Sequence, residues 1–150
     1  MNRFVHALLV ALSLFYGSES ASATSTDQAK VVFDRYVELE RSFDPAVADL
    51  YADDALIKNK RTYPTGQERK FTIPASKYKV LIRLSMPLAK VRSDTNSYSN
   101  VSYTKESNGV RVHASRFSTL KKYSSPLSLL IAPDKSGRWL IHEEISESQP

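Results

Sequence analysis

Residues 50–57 read Leu-Tyr-Ala-Asp-Asp-Ala-Leu-Ile, and the spacing of apolar residues changes within this stretch. Before it, apolar side chains recur every three or four residues between Ala29 and Phe43, which is typical of an amphipathic helix. After it, Ala55, Ile57 and Asn59 point to one side of the chain and the residues between them point to the other, which is typical of a strand. The stretch therefore predicts the junction between a helical part and a β-sheet part of the fold.

Two signals place the helices that precede this junction. Ser25 followed three residues later by Gln28 has the form of a capping box, so we expect the first helix to begin there and to end near residue 43. Asp44 and Pro45 predict the start of a short second helix, because Asp accepts hydrogen bonds from open N–H groups and Pro fits the first helical position.

A third helix and an antiparallel sheet are expected after the junction. Leu81 and Leu84 fit a helix over residues 76–86, and Pro87 should end or kink it because Pro lacks an N–H. Asn108-Gly109 predicts a hairpin turn of type I′. Further strands are expected near residues 97–106, 110–121, 126–132 and 138–146. This order predicts an α+β fold in which three N-terminal helices pack on one face of a curved, mainly antiparallel sheet.

The first 23 residues have the three parts of a secretory signal peptide. Arg3 supplies a positive start, residues 5–16 form an apolar run, and Ala21-Ser22-Ala23 offers the small residues of a cleavage site. The run is shorter than the roughly 20 residues that a membrane span needs. We therefore expect cleavage after Ala23, a single mature domain over residues 24–150, and a periplasmic or secreted location.

Composition excludes several kinds of site. The 150 residues include no Cys, which rules out disulfides, thiol nucleophiles and Cys-ligated zinc. The two histidines after the signal, His113 and His142, show no metal-ligand spacing, and Gly is too scarce for a phosphate-binding loop, so we expect neither a metal nor a cofactor. The formal net charge is +5. Because export removes the usual nucleic-acid partners, a solvated basic face is the preferred interpretation, with adhesion to an anionic polymer as a further alternative.

The run Arg35-Tyr36-Val37-Glu38-Leu39, then Asp44, then residues 50–57 resembles the opening of the nuclear transport factor 2-like superfamily, also called SnoaL-like. The resemblance implies a conical roll over nearly the whole mature chain. It implies little about activity, because the fold hosts isomerases, dehydratases, cyclases, epoxide hydrolases and inert binding modules.

Within that superfamily the opening is most similar to bacterial ketosteroid isomerases, which use a carboxylate base and an oxyanion hole of a Tyr and a protonated acid. The resemblance matches the oxyanion Tyr to Tyr36, the base to Asn59 and the acid to a position near Leu129. An amide cannot accept the proton and Leu cannot donate a hydrogen bond. We therefore do not expect ketosteroid isomerase chemistry.

A pocket is expected where the first helix meets the first and last strands. Its predicted lining residues are Tyr36, Ile57, Asn59, Arg116, Ile141, Glu143 and Ile145. A carboxylate such as Glu143 on an apolar strand face should have a raised pKa unless a cation, Arg116 or Arg83, reaches it, and it would then suit acid–base catalysis. The alternative is that a bulge turns Glu143 to the other face, toward solvent or a dimer contact.

The favoured hypothesis is an exported binding or accessory module, with a pocket for a small, mostly apolar ligand or a sheet face that pairs with a partner. The alternative is an enzyme of the isomerase, lyase or hydrolase type that uses Tyr36 and Glu143. The resemblance also implies a homodimer through the outer sheet face. Four aromatic residues of the later strands are expected to supply that contact: Tyr98, Tyr103, Phe117 and Tyr123.

Export gives the first testable prediction. Expressed in a Gram-negative host, the chain should appear in the periplasmic fraction with Thr24 as its N-terminus, because a signal peptidase accepts the small residues before that position. N-terminal sequencing of the fractionated protein checks this. Recovery of the intact Met1 form from the cytoplasm would contradict it.

Overall fold

The computed structural model describes residues 23–150, so the predicted signal peptide lies outside the described residues except for Ala23. The part described contains two α-helices, a 3-10 helix and six strands. Their bounds are α1 Ser25–Arg41, the 3-10 helix Pro45–Leu50, β1 Tyr51–Thr62, β2 Glu68–Pro74, α2 Ala75–Arg92, β3 Asn96–Glu106, β4 Gly109–Ser118, β5 Tyr123–Pro133 and β6 Trp139–Ser148. None of the helices within residues 23–150 has the length and apolar character needed to cross a membrane.

The strands form one sheet in the order β2-β1-β6-β5-β4-β3. Neighbouring strands are antiparallel except β1 and β6, the second and third strands of the sheet, which run parallel. Helix α1 packs across β3 to β6, and α2 packs across β1 and β2. The predicted α+β fold, with helices on one face of a curved and mainly antiparallel sheet, is confirmed.

The core lies between the helices and this inner face of the sheet. Phe33 and Leu39 of α1 are buried against strand residues that include Ile57, Leu129 and Ile141. The alternation predicted for β1 is confirmed, since Ile57 is 1% exposed and the next side chain outward, Leu56, is 40% exposed.

Helix α1 begins one residue before the expected capping box. Thr24 is the N-cap: its Oγ1 accepts a hydrogen bond from the Asp27 N–H at 3.2 Å, and its own N–H donates to Asp27 Oδ2 at 2.9 Å. The Ser25–Gln28 box was therefore wrong by one register. A carboxylate at the third helical position caps the helix, and unlike an amide it also carries a negative charge that interacts favourably with the helix dipole.

Helix α2 runs through Pro87 instead of ending there. Pro87 lies on the exposed side of the helix, where water can replace the missing backbone hydrogen bond. The helix ends at Ser93, whose φ of 51° is left-handed, after Lys90 and Arg92 have placed positive charge in the last turn. The predicted end near residue 86 was therefore wrong.

The hairpin between β3 and β4 also differs from its prediction. Gly109 pairs with Glu106, so the loop residues are Ser107 and Asn108, and neither Asn108 nor Gly109 has a positive φ. Type I′ geometry was thus wrong. Gly109 meets a different constraint, because a Cβ there would lie 2.5 Å from the Ile131 carbonyl oxygen.

A bulge in β6 reverses the alternation of its side chains. Leu130 pairs with Glu143 and Ile131 pairs with Ile141, which leaves His142 as an extra residue. Side chains before and after the bulge are therefore out of phase. Ile141 and Glu144 share the inner face, whereas Glu143 lies on the outer face.

The outer face carries fewer of the predicted aromatic residues than expected. The rings of Tyr98 and Tyr103 lie edge-on to Phe33 of α1, so both point inward. Phe117 is 37% exposed on the outer side. Homodimerisation through this face stays a prediction, with a smaller aromatic contribution.

The two edge strands differ from the inner ones. At one edge, β2 presents the charged run Glu68-Arg69-Lys70. At the other, the β3–β4 register shifts between Ser99 and Ser102, and Asn100 has a positive φ of 52°.

Replacing Gly109 by Ala tests the close approach of β4 to β5. The added methyl group must displace backbone, so Gly109→Ala should lower the free energy of unfolding by about 1–3 kcal/mol. Urea unfolding with an unchanged m-value measures this. The neighbouring Asn108→Ala, in the open loop, is the control and should change stability by less than about 0.5 kcal/mol. Equal effects of the two substitutions would contradict the packing argument.

Candidate functional site

Arg116 of β4 is the central cation of the interior. In register it lies between Tyr98 of β3 and Ser125 of β5. Its guanidinium donates to the backbone carbonyl of Glu147 at 3.0 Å, and no carboxylate within residues 23–150 lies close enough to form an ion pair with it. Burial disfavours this cation, but the Tyr36 and Tyr98 hydroxyls and Glu144 raise the pKa of Arg116, so it stays charged.

Two cavities meet at Arg116. The larger has a volume of about 390 Å³ and opens between α2 and the ends of β4, β5 and β6. The smaller, of about 270 Å³, lies between α2 and strands β1, β2 and β6. Both are lined by Arg61, Arg116 and Ser148.

The larger cavity has an excess of positive charge. Its cations are Arg61, Arg92, Arg116 and Lys121, and its carboxylates are Glu40 and Asp94. In the part of the chain that the structure describes, none of the four cations forms an ion pair. The Nε of Arg61 is buried and has no hydrogen-bond partner there. The cavity thus presents N–H donors without matching acceptors.

Glu40 links the larger cavity to the aromatic core. Its carboxylate accepts hydrogen bonds from the Tyr98 hydroxyl and from Asn96 Nδ2, the latter at 2.8 Å. Burial raises the pKa of Glu40, and these two hydrogen bonds only partly offset that effect. The Tyr98 and Tyr36 hydroxyl oxygens lie 3.5 Å apart. Burial likewise raises the pKa of Tyr36 well above its usual value.

Glu144 is the buried carboxylate of the smaller cavity. It is 1% exposed and accepts hydrogen bonds from the Tyr51 hydroxyl and, at 3.1 Å, from the Tyr78 hydroxyl. Burial, followed by the nearby Glu144 charge, raises the pKa of both tyrosines well above the usual value. Both therefore donate hydrogen bonds as neutral hydroxyls throughout the physiological pH range.

Asn59 is held by the last strand. Its Nδ2 donates to Ser146 Oγ at 3.1 Å, and its Oδ1 accepts from Ser148 Oγ at 2.9 Å. The side chain lines the smaller cavity, but both its donor and its acceptor are engaged. It has little capacity left to act on a ligand.

The structure brings together only part of the pocket expected from the sequence. Ile57, Asn59 and Arg116 line the smaller cavity. Tyr36 and Ile141 are buried in the core and line neither of the two cavities.

The inward placement of Glu143 and Ile145 was wrong. Glu143 lies on the outer face, where its carboxylate pairs with Arg111 at 2.7 Å and with Lys58 at 3.4 Å. Ile145 is 42% exposed on the same side. The cause is the bulge at His142, so the alternative orientation stated for Glu143 is the one that the structure shows. Arg83, the other cation considered for Glu143, instead pairs with Asp49 at 2.7 Å.

Sequence reasoning missed the residues that supply most of the polar lining. They include Glu40, Arg61, Tyr78, Arg92, Lys121, Glu144, Ser146 and Ser148. A signal was present for some of them, because Glu144, Ser146 and Ser148 recur every second residue and so share one face of a strand. Strict alternation from Ile141 assigns them to the outer face, whereas the bulge turns them inward. Within residues 23–150 no group of three or more His, Asp or Glu side chains could hold a metal ion.

The raised pKa of Glu40 gives a pH-dependent prediction. A carboxyl whose pKa is higher in the folded than in the unfolded chain contributes its stability at acid pH and loses it as the pH rises through the folded value. Relative to Glu40→Gln, the wild type should therefore lose stability with rising pH. Urea unfolding of both proteins, from acid pH up to neutral pH, measures the difference. The exposed Glu38→Gln is the control, and an equal pH dependence of the two variants would contradict the prediction.

Known proteins share this architecture but not the sequence. No family model and no curated protein matches the chain. An NTF2-like protein of unknown function from Pseudomonas putida KT2440 superposes with a TM-score of 0.66 at 12% identity, over 83% of this chain and 86% of that one. Yeast UBP3-associated protein BRE5 gives 0.60 at 20% identity, over 83% and 96%.

A candidate ketosteroid isomerase from Shewanella frigidimarina NCIMB 400 gives a TM-score of 0.58 at 14% identity, over 81% of this chain and 96% of that one. Identities this low support the architecture and carry no residue roles. The fold is compatible with binding and with catalysis. The chain has the nuclear transport factor 2-like fold that the sequence resemblance predicted.

Proposed function

We propose that the chain is an exported binding module whose interior cavity takes a small organic molecule with an anionic group such as a carboxylate. The observation that carries this proposal is the set of four cations in the larger cavity, Arg61, Arg92, Arg116 and Lys121, which form no ion pair within residues 23–150.

Arg116 is the residue that gains most from such a ligand. Holding a charge away from water costs free energy unless an opposite charge or several hydrogen bonds compensate. Within residues 23–150 its one hydrogen bond, to a backbone carbonyl, leaves most of its five N–H donors free. A carboxylate matches a guanidinium in a two-point geometry and would fill those donors.

The rest of the lining suits the body of an amphipathic molecule. Met86, Leu88 and Ala89 of α2 give the larger cavity an apolar wall, and Arg116 and Ser125 line it from the strands. The volume of about 390 Å³ lies at the low end of ligand sites, which span roughly 300–1,000 Å³. The apolar ligand expected from the sequence is thus extended by an anionic end.

Catalysis is the second candidate, and one observation favours it. Glu144 is a buried carboxylate at the wall of the smaller cavity. It would replace the pair first considered, because Tyr36 and Glu143 lie on opposite faces of the sheet and cannot act on one substrate. Two tyrosine hydroxyls donate to Glu144, however, so this carboxylate already serves a contact that holds β1, β6 and α2 together. Binding is therefore the better-supported function.

Ligand binding is tested with pairs of small aryl and alkyl carboxylates and their primary amides. Calorimetric titration should find carboxylates that bind the wild type while the matched amides do not. Arg116→Gln should weaken binding by roughly ten- to a hundredfold, the value of a hydrogen bond to a charged group.

Two further variants keep this experiment interpretable. Arg61→Gln perturbs the same cavity from β1 and should also weaken binding. It takes the place of Arg116→Gln if that variant fails to fold. Arg138→Gln removes a cation that is 70% exposed and does not line either cavity, so affinity should be unchanged. Equal binding of acids and amides, or equal loss in all three variants, would overturn the proposal.

A further inference from the structure

The outward face of α2 is apolar. Five of its side chains are each more than half exposed: Val80, Leu81, Leu84, Leu88 and Val91. We call these five residues the α2 stripe. A surface helix normally turns its polar side to water. A large exposed apolar patch on such a helix marks a contact surface for a protein or a membrane.

Helical geometry places the stripe opposite the core. At about 100° per residue, its five members fall within about 100° of one another around the helix axis. Ile82, Tyr78 and Met86, which pack against the core, lie on the other side. None of the five belongs to the hydrophobic core, and the stripe runs along a helix about 27 Å long, 18 residues at 1.5 Å each.

Positive charges lie within the stripe and beside it: at about 100° per residue, Lys77 falls inside its arc and Arg92 lies about 20° beyond one edge. Helix α2 contains Lys and Arg residues but no Asp or Glu. Lys77, Lys90 and Arg92 form no ion pair within the described part of the chain. Arg83 pairs with Asp49, and Lys79 is turned toward Asp53.

We propose that α2 is a membrane-docking helix, which lies in the headgroup region of an anionic bilayer with the α2 stripe turned toward the acyl chains. An exposed apolar face bordered by Lys and Arg is the arrangement of helices that bind in the plane of a bilayer, because apolar burial and attraction to anionic lipid act together. A second copy of α2 would instead face like charges with no acidic residue to offset them. Charge complementarity therefore favours an anionic lipid surface.

Docking would also orient the larger cavity. Leu88 belongs to the stripe and lines that cavity, so its opening would face the bilayer surface. The membrane proposal does not depend on the cavity's ligand, and failure of either proposal leaves the other intact.

A local probe tests the proposal on the full chain. Because the chain has no Cys, a single Val91→Cys variant can be labelled with an environment-sensitive dye at that position alone. On vesicles of phosphatidylcholine with phosphatidylglycerol, the dye emission should shift to the blue, and phosphatidylcholine vesicles should give at least fivefold weaker binding. Val31→Cys is the control, because Val31 is also an exposed valine, at 66% against 86% for Val91, but lies on α1; it should show no shift.

Second substitutions in the labelled chain separate the two forces. Leu84→Ser with Leu88→Ser should weaken vesicle binding about tenfold or more through lost apolar burial. Lys77→Gln with Lys90→Gln should weaken it about fivefold for each lysine, and added salt should do the same. Lys30→Gln with Lys105→Gln, away from α2, is the matched control.

Three results would overturn the proposal. The first is vesicle binding without a shift at position 91, which would place the contact elsewhere in the chain. The second is a shift that needs no vesicles and grows with protein concentration, which would assign the stripe to a second copy. The third is no shift under any condition.

Discussion

The hydrogen bonds from Tyr51 and Tyr78 to Glu144 join three elements of the fold, β1, β6 and α2. Glu144 lies in β6, Tyr51 begins β1, and Tyr78 comes from the start of α2, so one carboxylate ties the parallel strand pair to the helix packed on it. A carboxylate buried among apolar neighbours is tolerated only when donors reach it, and the two hydroxyls meet that need. The rings also pack edge to face, with centroids 5.3 Å apart. The position of α2, and with it both the cavities and the outward stripe, depends on this contact.

The fold could be predicted from the sequence because its main signals are local. The change of periodicity at residues 50–57 and the alternation through Ile57 depend on neighbours along the chain. The errors arose where tertiary packing overrides a local rule. Pro87 does not end α2, since the helix on both sides of it packs over the sheet and the cavity, and Gly109 is required by the backbone of β5 instead of by a turn.

The candidate site was harder to predict than the fold. One extra residue at His142 exchanges the roles of Glu143 and Glu144, and such a bulge leaves no mark in a strand's alternation until its partner strands are known. Arg116 was identified, but its unpaired state is a property of the whole interior, because it requires that no carboxylate from any described element reach it. The electrostatic environment of a side chain is a sum over distant segments, which is why the proposed ligand is partly anionic whereas the sequence alone favoured an apolar one.

The edges of the sheet limit how this protein can associate. An unpaired edge strand offers backbone N–H and C=O groups that another chain can extend, and this is the usual start of strand-mediated polymers. Here the charged run Glu68-Arg69-Lys70 marks one edge, and the left-handed residue Asn100 interrupts the other. Both make the addition of a further strand unfavourable. At high protein concentration these edges would therefore not extend into fibrils, and assembly would have to proceed through side-chain surfaces.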